Sequence, residues 1–160
     1  MLLELGDLDA TREAMASAVD AGLLQAPRSF AWGTTMIGAA GVCAALGVRP
    51  LAEQLYGLLV PCAGVMIAQA GPVDRATGLL ARTLGRRAEA EERLRAAVAL
   101  CERMDARAYL AIARYELGRL LLPGAEGTRL LGQAAAAAEE IGMPGWLRLA
   151  HAAMALGTRA

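Results

Sequence analysis

Neither lysine nor asparagine occurs among the 160 residues, there is one histidine, and aromatic residues make up only 4% of the chain. Without lysine there is no Schiff-base chemistry and no Gly-x-x-x-x-Gly-Lys-Ser/Thr phosphate loop. The lone His151 stands beside Ala150 and Ala152 with no second histidine to share a zinc ion, so it reads as structural or surface. Cysteine is also scarce: Cys43, Cys62 and Cys101 are odd in number, widely spaced and without a Cys-x-x-Cys pair. That pattern excludes a disulfide framework and points to core thiols in a reducing, cytoplasmic compartment. Cys43 and Cys62 lie in charge-free stretches, which predicts inert thiols.

Net charge is missing as well. Sixteen arginines balance sixteen acidic residues, and a pI near 6.6 offers no field for a phosphate backbone, so nucleic acid is not an expected direct partner. Glu4, Asp7 and Asp9 near the start, with no basic segment, do not resemble a secretory signal. The carboxylate pairs Glu91–Glu92 and Glu139–Glu140 are adjacent in sequence, so on a helix they point about 100° apart and cannot share one substrate. No acid, base and nucleophile fall in one neighbourhood, and the reading is a non-enzyme with no catalytic residue, cofactor or metal.

What is abundant is small and apolar. Glycine plus the apolar residues reach about 65%, against the 45–50% typical of soluble domains. The excess predicts a buried face beyond the chain's own core, hence a homo-oligomer or a piece of a larger protein. Residues 29–48 and 54–73 are each twenty residues without a charge. Their glycines, threonines and prolines argue for buried helices rather than membrane spans.

Self-similarity organises the rest. In 78–97, Gly78 allows a paired helix to come close, Gly85 ends a helix, Ala90 sits at a crossing, and Leu94 and Ala97 fill the gap to the next pair. A shift of about 37 residues reaches Tyr115, Gly118 and Leu121; a shift back of about 38 reaches Ala40, Cys43 and Leu46. Helices are expected at 8–22, 29–46, 50–60, 65–84, 87–103, 106–122, 128–141 and 145–157, with no strand. Starts are placed at Asp9, Ser29, Asp105 and Thr128, with Pro50 and Pro144 in first turns, and stops at Gly22, Gly47, Gly85 and Gly142. A stripe of Ala90, Leu94, Ala97, Cys101 and Met104 should face inward, and Trp32 and Trp146 should cap the two ends of the core.

The segment LLARTLGRRAEAEERLRAAVALCERMDARAYLAIARYELGRLLL, then LLGQAAAAAEEIGMPG, resembles the C-terminal helical repeats of large actinobacterial regulators. In those proteins an ATPase core is joined to a LuxR-type helix-turn-helix or to a cyclase domain. LAEQLYGLLVPCAG is similar to the preceding repeat. The resemblance implies an all-α fold, a right-handed superhelix of antiparallel helix pairs of the tetratricopeptide kind. About three and a half repeats (8–22 in part, 29–60, 65–103, 106–141) and a terminal helix (145–157) would form one domain over 1–160. The implied role is a protein-interaction or dimerisation module in transcriptional or signalling regulation.

On such a fold the first helices line a groove. Arg75, Leu79 and Arg82 of one repeat, with Tyr109, Ile112, Glu116 and Arg119 of the next, are the candidate residues. Arg82 and Arg119 would receive an acidic group or a peptide carboxylate by bidentate hydrogen bonds. Thr34, Ile37, Gly41, Ala44 and Ala45 would supply an apolar end for an aliphatic side chain, a small apolar ligand or a second copy. The alternative is a sensor that encloses a small apolar or acidic ligand.

Overall fold

The protein is all-α. In the computed structural model, which describes residues 7–29 and 31–157, eight α-helices follow one another: α1 (Leu8–Asp20), α2 (Trp32–Leu46), α3 (Arg49–Leu59), α4 (Val73–Thr83), α5 (Arg87–Arg103), α6 (Arg107–Leu121), α7 (Ala125–Ile141) and α8 (Pro144–Gly157). Glu4 lies outside the described residues.

Backbone conformation fixes where the helices stop. Gly22, Gly47, Gly85 and Gly142 all adopt positive φ, between 69° and 89°, where a Cβ would be strained. At Gly47, Gly85 and Gly142 the next residue donates its N–H to the carbonyl five residues back: Val48 to Cys43, Arg86 to Ala81, and Met143 to Ala138. A fourth such end was not foreseen. Asp105, expected to start a helix, instead takes φ 49° and ends α5, with Ala106 donating to Cys101. Gly47 and Gly85 stand 38 residues apart, and Asp105 and Gly142 stand 37 apart, so the sequence repeat returns as a repeat of one capping device.

Helix starts differ from expectation at each of the four named residues. Asp7, not Asp9, caps α1 by accepting from the Ala10 N–H at 2.9 Å. Ser29 precedes α2 and uses its carbonyl, not its hydroxyl, to accept from Trp32. Thr128 lies inside α7, whose cap is Gly124. The expected helix at 65–84 begins only at Val73. Before it, β1 (Met66–Ile67) pairs antiparallel with β2 (Gly71–Pro72), and the Gly64 N–H donates to Asp74 Oδ2 at 2.6 Å. Pro72 lacks the N–H that an interior helical residue needs, which makes it the boundary.

The chain divides into two compact units, Met1–Ala90 and Glu91–Ala160. In the first, α2 packs on α1, α3 and α4, and α3 packs on α4, around Met36, Ala40, Leu55, Leu59 and Leu80. In the second, α7 packs on α6 and α8 around Tyr115, Leu131, Ala134 and Ala150. Ala90, Leu94, Ala97 and Cys101 of α5 are fully buried as the stripe predicted, but Met104 is exposed because the helix ends before it. Among the described residues no helix is long and apolar enough to cross a membrane. The charge-free run 54–73 is broken by a 3-10 turn (Val60–Cys62) and the β1–β2 turn.

Candidate functional site

In the first unit α1 is seated lightly. Of its thirteen residues only Thr11 is buried, and an open groove of about 410 Å³ runs between α1 and α2. Small residues stand at helical spacing on both sides, Ala14 and Ala18 on α1 and Thr34, Gly38 and Val42 on α2, with Met15 and Leu23 as the larger lining side chains. Two of its hydroxyls are turned into their own helices. Thr11 donates to the Asp7 carbonyl at 2.6 Å and Thr35 to the Ala31 carbonyl at 3.0 Å. Among the described residues no ionisable side chain lines the groove, and the surface they make is that of an aliphatic trough. A second groove of about 510 Å³ lies on the other flank of α1 and shares Met15 with the first. That one is rimmed by Arg12, Asp20 and Gln54 and floored by Leu46, Val48 and Leu51.

Sequence reasoning placed an apolar end nearby, one step out of register. Thr34 does line the groove, but Ile37 is buried in the core, and Gly38 and Val42 take the place given to Gly41 and Ala45. The i, i+4 series Thr34, Gly38, Val42 was the available signal.

The seven residues named as a groove fall in both units. Arg75, Leu79 and Arg82 share one face of α4; Leu79 is 4% exposed, and the two arginines are half-buried. Tyr109, Ile112, Glu116 and Arg119 share one face of α6, where Glu116 is 7% exposed, Tyr109 and Ile112 are half-buried, and Arg119 is exposed. The Arg119 guanidinium rests 5.5 Å from the centroid of the Tyr115 ring, a cation–π contact inside its own helix.

The second unit carries a different surface. Arg95 reaches both oxygens of Glu126 at 2.8 and 3.0 Å and also Glu91 at 2.9 Å; Arg114 pairs with Glu102 at 3.0 Å. These pairs border a groove of about 340 Å³ over Val98, Leu117 and Leu130. Hydrogen bonds from Arg95 hold the Glu126 carboxyl below its usual pKa, and Glu126 and Glu91 raise that of Arg95. The Glu91–Arg95 pair was legible as i, i+4; the bond to Glu126, 31 residues away, was not.

Of the cysteines, Cys43 is buried and donates to the Val48 carbonyl at 3.3 Å, and burial pushes its thiol up to about 11. Cys101 is buried too. Cys62 departs from the charge-free reading: Arg28 brings a guanidinium nitrogen to 3.7 Å from its sulfur, while the same guanidinium covers the Trp32 ring at 4.6 Å. Trp146 meets Tyr115 edge to face at 5.3 Å and packs on the core of the second unit. His151 is exposed on α8. Among the described residues no three His, Cys, Asp or Glu side chains converge as metal ligands.

Comparison of the chain with protein-family models, with curated proteins and with solved structures finds no match.

Proposed function

We propose that the chain is a helical interaction module that receives an amphipathic helix of a protein partner in the trough between α1 and α2. The observation that carries this reading is the trough itself, about 410 Å³, lined by small residues with Met15 and Leu23 beside them and, among the described residues, by no ionisable group. Amphipathic helices dock in such grooves through apolar side chains at i, i+3, i+4 and i+7. A small polar ligand would need a few convergent polar groups to orient it, and the trough offers none beyond its threonines. The assignment to a bacterial transcriptional or signalling regulator rests on the sequence resemblance alone.

The test is binding of a fluorescent model helix, with leucines at i, i+4 and i+7 and polar residues elsewhere, measured by anisotropy. A Cβ built at Gly38 meets nothing within 4 Å, so the side chain of Gly38→Leu leaves the helix without a clash at its first carbon and projects into the trough. Saturable binding to the natural chain, lost in Gly38→Leu, is the expected result. Equal binding by both chains, or none by either, overturns the reading.

A further inference from the structure

Two helices of the first unit are held very differently. Of the eleven residues of α4 eight are buried, whereas of the thirteen of α1 only Thr11 is. Met15, Ala18 and Val19 are half-buried, and the helix packs chiefly on α2, with a groove on each flank of that seam. A helix of this length is marginal alone in water, so α1 keeps its form from its seat and its cap. The seat is thin, and the cap is one side-chain bond, from the Ala10 N–H to Asp7 Oδ1 at 2.9 Å. The link that follows offers a hinge. Gly22 takes φ 89°, and the 3-10 turn after it, Leu23–Gln25, buries none of its residues.

We propose that α1 is a strap: it opens as a unit while the rest of the first unit stays folded, and in opening it uncovers one apolar face. Segments with few buried contacts open at a free energy well below that of global unfolding. The residues beneath the two grooves follow one another along the chain, Gly38, Ala39 and Val42 in the first, then Leu46, Val48 and Leu51 in the second. Met15 belongs to both grooves, so α1 is what divides them. Arg12 and Asp20, the charged side chains that rim the second groove, both sit on α1 and leave with it. Closed, the strap keeps two separate grooves; open, it leaves a continuous apolar surface from α2 to the start of α3. The contact is thus autoinhibitory toward whatever that surface binds.

Hydrogen exchange of the full chain, read by mass spectrometry, tests the opening. Amides of α1 should be on the order of a hundredfold less protected than those of α4. Asp7→Ala removes the cap and should speed exchange in α1 about fivefold while leaving α4 unchanged. Asp7→Asn, which keeps a capping oxygen, should restore the natural rate. Thiol labelling tests the uncovered face. Ala39→Cys puts a thiol at a position only 7% exposed, and iodoacetamide should label it about fivefold faster once Asp7→Ala is added, in step with α1. Fragment masses distinguish that thiol from Cys43, Cys62 and Cys101.

Protection of α1 equal to that of α4, or an Asp7→Ala effect that is absent or the same in both helices, overturns the strap. A labelling rate at residue 39 that ignores Asp7→Ala overturns the uncovered face. No readout involves a partner, so the docking of a helix in the trough can fail while the strap holds, and the reverse.

Discussion

The α1–α2 pair of the first unit and the α6–α7 pair of the second are both rich in alanine and glycine, and they use them in opposite ways. At Gly118 and Gly127 the backbones of α6 and α7 nearly touch: a Cβ at Gly127 would come within 2.8 Å of the Gly118 carbonyl oxygen, and one at Gly118 within 2.9 Å of Leu131. At Gly38 and Gly41 of α2 a Cβ would meet nothing within 4 Å. Small residues permit close approach but do not drive it. The drive comes from large partners, and α7 buries Leu130 and Leu131, each contributing on the order of 2 kcal/mol, while α1 buries neither Leu8 nor Val19. Where no large side chain closes the gap, the same small residues leave a trough.

The contrast is broken most sharply at its tight end. Gly127→Val drives a branched side chain into the Gly118 carbonyl and the Leu121–Leu122 backbone, none of which can swing away. A loss of about 3 kcal/mol is expected, at the upper end for overpacking, read from the urea midpoint of the full chain. A midpoint unchanged from the natural chain would mean that α6 and α7 are not packed through these glycines.

At the open end the sign reverses. Gly38→Ala adds a methyl group into free space and removes a flexible residue from the middle of a helix, so stability should rise by up to about 1 kcal/mol. The same change at Gly118 should lower it, and the pair of measurements sharpens the comparison because helix propensity favours alanine equally at both. A loss at Gly38 would show that the space beside it is filled in solution.

How much of this was legible depends on what each feature requires of the residue that makes it. Helix stops were readable because a left-handed residue is nearly always glycine, and Gly22, Gly47, Gly85 and Gly142 all adopt that conformation. Starts were not, since several residue types can cap and water can substitute: Ala31, Val48, Ala106 and Gly124 stand at caps with no side-chain bond. The inward stripe of α5 was readable from its period. The break after residue 60 was readable, but the β1–β2 turn that occupies 66–72 was not, because that stretch reads as apolar helix and the Gly64–Asp74 bond that folds it back joins residues ten apart. The trough escaped for a similar reason. It is made where Ala14 and Ala18 of α1 face Gly38 and Val42 of α2, and a sequence shows each helix's residues without showing which of them face each other.

The smallest expected effect concerns the charges that bracket the second unit. Arg95 ties α5 to α7 through Glu126, whereas the pair at α1, Arg12 to Asp9 at 3.3 Å, stays within one helix. Glu126→Gln keeps the shape and one acceptor but removes the charge. Because both partners are nearly half exposed, water and salt screen the pair, and the loss should be well below that at Gly127. Its pH dependence is the telling part. The folded Glu126 carboxyl is held below its ordinary value of 4.5, so the pair's contribution is present above that value and is lost as pH falls through the folded pKa. The melting temperatures of the natural and Gln chains should therefore differ at neutral pH, converge as the solution is acidified past the carboxylate range, and draw together in high salt. A gap that stays constant with pH would show that Glu126 acts through packing, leaving α5 and α7 held, like α6 and α7, by shape rather than by charge.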